Sequence, residues 1–307
     1  MTRLAAVFFA LCLTVFALHP PSEAYVLPAP FVIDQMLGNL QLPGQMEIDQ
    51  RLFVHYLHED KKQEKNVLPK VEDENEAQNQ SQGQTDPAGF DQKVYYSLPG
   101  AYRSEIDTAE FQQIFISSGS SSLTVIDGVV LSDNVRWYDC YKDLFVFSSR
   151  RPLVNHLKQL GIDMTISSLG RLDKKLVYVC GARYPDQSLP QLWVEKKFFR
   201  PVRWIVSPGA LPQDPPAREI RYQSWQRTDR TWYPGRIEFL ENGRLIRTLV
   251  VKDLDVNADI ADSLFDISAL SDRYKLSEKK PGQEAGTSGE VRRQIEEFNR
   301  IYQLPTQ

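Results

Sequence analysis

The stretch REIRYQSWQRTDRTWYPGRIEFLENGRLIRTLVVKDLDVNADIADSLFDI, from Arg218 to Ile267, decides the fold class. At period two, Ile220 and Tyr222 alternate with Arg221 and Gln223, and Ile237 and Phe239 alternate with Arg236 and Glu238. Such alternation gives strands with one apolar and one polar face. Asp229-Arg230 and Glu241-Asn242-Gly243 fall between the apolar runs, and an Asn-Gly pair tolerates the positive φ of a tight hairpin. The reading is an antiparallel meander with a greasy side that something must cover.

Outward from this stretch, the same period recurs upstream. Strands are expected at Arg51 to Tyr56, at Gln113 to Ser117, at Leu123 to Ile126, at Val129 to Leu131 and at Val135 to Tyr141. Four more are expected at Thr165 to Leu169, at Leu176 to Cys180, at Gln191 to Glu195 and at Val202 to Val206. Lys93 to Ile106 reads as one long strand bent at Pro99-Gly100, because Pro cannot serve a central ladder. Ser117 to Ser122, with Gly119, reads as a hairpin tip. Two segments depart from period two: Ile33, Met36, Leu37 and Leu40 share a helical face, as do Leu153, Leu157 and Leu160 before a stop at Gly161.

Residues 1–24 read as a secretory signal peptide: Arg3, an apolar run from Leu4 to Leu18 too short to cross a bilayer, and a small-residue site ending at Ala24. The alternative is an N-terminal anchor. The folded domain is expected over 25–270, interrupted at about 58–92 by an acidic, polar insertion without the apolar residues a packed structure needs. Beyond it, 271–307 reads as a polar linker and an amphipathic helix carrying Val291, Ile295, Phe298 and Tyr302. A formal net charge of -4 over 307 residues leaves no basic footprint for nucleic acid. Cys140 and Cys180 remain after cleavage and are candidates for a disulfide in an oxidising compartment, the alternative being two buried free thiols.

Catalytic patterns are weak. His55 and His58 point to opposite faces of a strand and cannot chelate one metal, and His156 stands alone. Asp253, Asp255, Asn257 and Asp259 mimic a calcium loop, but Ala258 and Leu264 occupy its glycine and bidentate-glutamate positions. Neither a nucleophile elbow nor a phosphate loop occurs, so no cofactor and no enzymatic role is expected. The excess is in apolar residues on one face of many strands. That face is either a plain filled core or, in an incomplete barrel plugged by helices, the lining of an acyl-chain cavity. The inward set by parity is Leu52, Val54, Tyr56, Val94, Tyr96, Tyr102, Ile106, Ile114, Ile116, Val125, Trp204, Tyr222, Ile237 and Phe239, under Ile33, Met36 and Leu37 of the covering helix. Trp225 and Lys252 read as outward.

Specific strings narrow the choice. Trp225, Trp232-Tyr233-Pro234-Gly235-Arg236-Ile237, Val256-Asn257 and Leu264-Phe265-Asp266 stand together with Pro99-Gly100-Ala101-Tyr102-Arg103 and Val125-Ile126-Asp127-Gly128. With Leu192-Trp193-Val194-Glu195-Lys196 and Pro201-Val202-Arg203 in the same order, the chain resembles the LolA/LolB-like outer-membrane lipoprotein carriers. The resemblance implies a mainly β fold, an open, strongly curved antiparallel sheet of about eleven strands with short helices plugging its concave face. It implies a periplasmic, soluble carrier that takes lipoprotein acyl chains from an inner-membrane donor to an outer-membrane acceptor. The alternative is a non-catalytic envelope protein that fills the cavity and binds a protein partner. Leu98 stands where many carriers have an arginine latch, and the 58–92 insertion is not a family feature.

Overall fold

A computed structural model describes residues 26–55, 88–109, 111–132, 136–209 and 216–274. The signal segment, Tyr56, His58, most of the acidic insertion and Val291 to Tyr302 lie outside them. Helix α1 (Ala29–Leu40) precedes β1 (Gln45–Val54), β2 (Ala88–Ser97), β3 (Ala101–Asp107), β4 (Gln112–Ser118), β5 (Ser121–Ile126) and β6 (Val129–Ser132). A 3-10 helix (Trp137–Leu144) and α2 (Arg150–Gln159) follow. Then come β7 (Ser167–Leu172), β8 (Lys175–Cys180), β9 (Gln191–Glu195), β10 (Pro201–Ser207), β11 (Arg218–Thr228), β12 (Thr231–Glu241) and β13 (Arg244–Asp255). A 3-10 turn (Asp262–Phe265) and α3 (Ile267–Arg273) close the described chain.

All thirteen strands form one antiparallel sheet in the order β6-β5-β4-β3-β2-β1-β13-β12-β11-β10-β9-β8-β7. The sheet is open, because its edges β6 and β7 do not pair. It consists of two meanders, whose connections between neighbours are short except for the acidic insertion between β1 and β2, and the ladder of β1 with β13 joins them at the centre. The two edges are consecutive in sequence. The chain therefore leaves one edge after β6, crosses the covered face as the 3-10 helix and α2, and enters the opposite edge as β7.

The opening stretch forms β11, β12 and β13 with the expected turns, and Asn242 and Gly243 both take positive φ, 50° and 76°. Its inward residues line up across the sheet: Tyr222 faces Ile237, Ile237 faces Leu249, and Leu249 faces Leu52. A second row runs Cys180, Leu192, Trp204, Ile220 and Phe239. Adjacent rows of large side chains are what a pleated sheet offers to a covering layer.

Four expectations are corrected. Lys93 to Ile106 is a hairpin rather than one bent strand, since Ser97 pairs with Ala101 and Pro99-Gly100 forms the turn, where a missing N–H costs no ladder bond. Gly100, at φ 92°, supplies the left-handed residue of that turn. The insertion ends earlier than expected, as β2 begins at Ala88 and hides its polar Gln92 in a 2.7 Å hydrogen bond from Gln50 Nε2. Val135 to Tyr141 does not continue as a strand, because a 3-10 helix occupies Trp137–Leu144. Finally, residues assigned to the polar linker form the end of α3, whose cap is the Asp266 side chain accepting from Ala269 N at 2.9 Å.

Candidate functional site

The covered face is the candidate site, built by residues from both meanders and from the crossover. Ile33 and Met36 of α1 are buried in one cluster with Leu52, Val54, Val94, Tyr96, Tyr102, Ile106, Trp204, Tyr222, Ile237 and Phe239, and Leu37 packs half-buried against it. The sequence parity therefore brings these together on one side. Ile114, Ile116 and Val125 are not among them. They form a second cluster on the opposite face with Leu123, under Leu270 of α3, while Phe115 between them turns inward. The register gives the reason: Ile114 and Ile116 sit opposite Glu105 and Arg103, and Phe115 sits opposite Ser104, on the same side as Tyr102 and Ile106. Three consecutive apolar residues carry no parity of their own, and the inward assignment there is corrected.

Trp225 is corrected as well. Ser224 takes φ 50°, which breaks the alternation, and Trp225 packs against the inward cluster with its ring centroid 6.4 Å from that of Phe145. The kink fits against Gly235, where a Cβ would stand 2.6 Å from the Ser224 carbonyl oxygen. Lys252 is outward as expected, in a 2.6 Å ion pair with Asp91.

The crossover supplies the part that strand reading missed. Trp137, Tyr138, Tyr141, Leu144 and Phe145 follow a helical spacing, which is the signal that distinguishes this segment from its neighbours. Tyr138, Tyr141, Leu144 and Phe145 are buried against the sheet. Tyr141 meets Phe239 edge-on at 5.8 Å and Phe145 meets Tyr233 at 4.7 Å. The Tyr141 hydroxyl pairs at 2.8 Å with that of Tyr102, and the hydroxyls of Tyr96 and Tyr233 pair at 3.2 Å. Aromatic pairs at these distances add to area burial, and each hydroxyl has a partner, so no phenol is stranded. Burial pushes the phenols of Tyr96, Tyr102, Tyr222 and Tyr233 well above their usual range.

Two charged side chains of the crossover, Lys142 and Asp143, are also enclosed. Lys142 Nζ donates to Asp143 Oδ1 at 2.6 Å, and His156 Nε2 of α2 donates to Asp143 Oδ2 at 2.8 Å. Burial pulls the Lys142 pKa down, but the Asp143 charge and hydrogen bond outweigh it and leave the ammonium above its ordinary value. The triad ties the 3-10 helix to α2, making the crossover one unit. Cys140 and Cys180 are both free and buried, and burial pushes each thiol up to about 12. The disulfide alternative gives way to two inert thiols.

The face is closed in this state. Ile33, Met36, Tyr96, Trp204, Ile237 and Phe239 are 0% exposed, whereas side chains lining a water-sized void would keep accessible surface. Among the described residues, no three His, Cys, Asp or Glu side chains gather as a metal site.

No family profile matches the chain, and no curated protein matches it. Solved structures do. The chain is similar to an outer-membrane lipoprotein-sorting protein domain from Vibrio parahaemolyticus, at 8% identity and a TM-score of 0.48, over 78% of this chain and 97% of that one. It is similar to a LolA superfamily protein from Nitrosomonas europaea at 14% identity and a TM-score of 0.47, over 78% and 98%. A DUF1329 family protein from Desulfovibrio piger follows at 11% and 0.46, over 79% and 99%.

Proposed function

We propose that this protein is a non-catalytic carrier of the cell envelope, which shelters the acyl chains of a lipoprotein or lipid against its covered face and delivers them toward the outer membrane. The observation that carries the reading is the separateness of sheet and cover. Every strand ladder runs between neighbours in the sheet, and neither α1 nor the crossover contributes a strand. Lifting the cover costs apolar contact and a few hydrogen bonds, such as Thr231 Oγ1 to the Gln41 carbonyl at 2.8 Å, and leaves every ladder in place. An acyl chain entering beneath it regains about 0.8 kcal/mol per buried CH₂. Such binding needs no catalytic residue, and a periplasmic site between an inner-membrane donor and an outer-membrane acceptor is the setting that the motif resemblance implies.

Native mass spectrometry of protein purified from the envelope tests this, together with uptake of a long-chain fluorescent fatty acid. Retained acyl mass, lost in Ile237→Gln and kept in the opposite-face control Ile114→Gln, is the expected result. Repeated empty spectra with no uptake of the probe would sink the carrier reading. They would leave a second one, favoured by the filling of the covered face by Tyr141 and Phe145: a regulatory or structural envelope protein that recognises a protein partner through its outer surface.

A further inference from the structure

Three hairpin turns meet at one end of the sheet. Val177, early in β8, lies opposite Glu195 at the end of β9, and Arg203, early in β10, lies opposite Arg221, which leads β11 toward its turn. The β7-β8, β9-β10 and β11-β12 turns therefore project the same way. On the first two, Lys174, Lys175 and Lys197 are exposed and Lys196 is half-buried. Among the described residues no ion pair engages any of these four lysines. The acids of these two turns are Asp173 and Glu195, the latter paired with Arg200 at 3.5 Å, while the exposed Asp253, Asp255 and Asp259 lie by the third turn, where Asp229 accepts from Asn257 Nδ2 at 3.3 Å. In a chain of net charge -4, these two turns have the opposite sign.

The same end exposes two large apolar side chains, Phe198 at 42% and Leu176 at 45%. Lys196 N donates to the Leu176 carbonyl at 3.0 Å, which ties the two hairpins together and puts both side chains on one rim. Phe198 does not sit on a loose tip. Arg200 lies 4.4 Å from its ring and continues over Trp232 at 4.6 Å, while Lys197 Nζ lies 4.7 Å from the same ring. The next residue, Phe199, stacks on Tyr178 at 5.7 Å, so the turn is anchored on the core side and presents Phe198 outward.

A held aromatic and an aliphatic side chain ringed by unpaired lysines match one surface in both respects. In a bilayer the apolar groups enter the headgroup and acyl boundary, while the lysine stems follow them and the ammonium groups stay at the phosphates. An acidic protein groove would satisfy the charges but offers no general place for apolar groups from two separate hairpins. We propose that this end of the sheet is a docking surface for an anionic phospholipid bilayer, with Phe198 and Leu176 inserting and Lys174, Lys175, Lys196 and Lys197 facing lipid phosphates. The proposal goes beyond acyl carriage and stands whether or not the covered face holds a lipid, because vesicle binding and retained acyl mass are separate readouts.

Flotation of the full mature chain with vesicles of phosphatidylglycerol and phosphatidylcholine, and with phosphatidylcholine alone, tests it. The expected result is binding to the anionic vesicles only, weakening as salt is raised. K196E/K197E is expected to lower that affinity by about 30-fold or more, at roughly fivefold for each lysine removed. K174E/K175E, on the neighbouring hairpin and outside every aromatic contact, is expected to act in the same direction, and F198S to weaken binding several-fold. Unchanged denaturant midpoints confirm that the variants fold. Equal binding to neutral and anionic vesicles, or wild-type binding by both charge-reversal variants, overturns the proposal. So does a wild type that ignores vesicles, including one that retains an acidic protein instead.

Discussion

The two faces of the sheet solve the same problem with different materials. The covered face carries tall aromatic side chains and is sealed by a crossover that brings Tyr141 and Phe145 of its own, with hydroxyl pairs such as Tyr102 to Tyr141 at 2.8 Å. The opposite face is mostly polar. Over β10 to β12 it is laced by half-buried pairs such as Arg203 to Glu219 at 2.6 Å and Arg236 to Glu238 at 2.8 Å, each contributing little. Among the described residues it holds two apolar clusters, Ile114, Ile116, Leu123 and Val125 at β4 and β5, closed by α3, and Val177, Val179 and Trp193 at β8 and β9. A strand is thus not simply inside on one face and outside on the other. What decides is which segment of the chain comes to lie on it.

Alkali should separate the faces most sharply. The groups raised furthest, Tyr96, Tyr102, Tyr222, Tyr233, Cys140 and Cys180, all belong to the covered face, while on the opposite face burial also raises Tyr95. Each is neutral when folded and ionises more easily in the unfolded chain, where thiols titrate at roughly 8.5 and phenols at roughly 10. Their stabilisation is whole below those values and is lost as pH rises, for the thiols through about 12. Denaturant midpoints measured from pH 8 upward should fall steeply, and phenol absorbance should appear in step with unfolding rather than before it.

Truncations should rank the faces next. Phe239→Ala, beneath Tyr141, is expected to cost about 3–5 kcal/mol in urea unfolding. Leu270→Ala, at the margin of the opposite cluster, is expected to cost about 2 kcal/mol, the low end for a buried leucine. Equal losses would mean that α3 is as integral as the crossover. Smaller still, Tyr102→Phe should cost about 1 kcal/mol through the hydroxyl pair. Asp266→Ala should cost about 0.5–1 kcal/mol through the lost helix cap, seen as lower amide protection in α3 alone.

Much of this architecture was legible in the sequence. The alternation at Ile220, Tyr222, Ile237 and Phe239 gives the faces of β11 and β12, and Asn242-Gly243 gives the turn after them, because both are local. Both long helices follow from the spacing of Ile33, Met36 and Leu40 and of Leu153 and Leu157. The failures are non-local. Ile114-Phe115-Ile116 is apolar on both faces, and only the presence of α3 on one side and Tyr102 on the other sorts it. Trp225 turns inward because of one backbone angle at Ser224, which no alternation records. Tyr138 and Tyr141 belong to a helix whose period lies in the sequence, but a run of aromatic and β-branched residues reads equally as a strand. The rim of lysines around Phe198 is scattered over two turns that only the sheet order brings side by side.

The β1-β13 ladder also bears on how the chain acquires this shape. Each meander grows by adding a strand to its immediate predecessor, and apart from the insertion between β1 and β2 its loops are short and cheap to close. The ladder between Glu47–Val54 and Arg247–Asp255 is the step that joins the most distant parts of the chain. The kinetic bottleneck of folding therefore lies in the middle of the sheet rather than at its rims. Substitutions on the facing residues of β1 and β13 should slow refolding, while those at β6 or β7 mainly hasten unfolding.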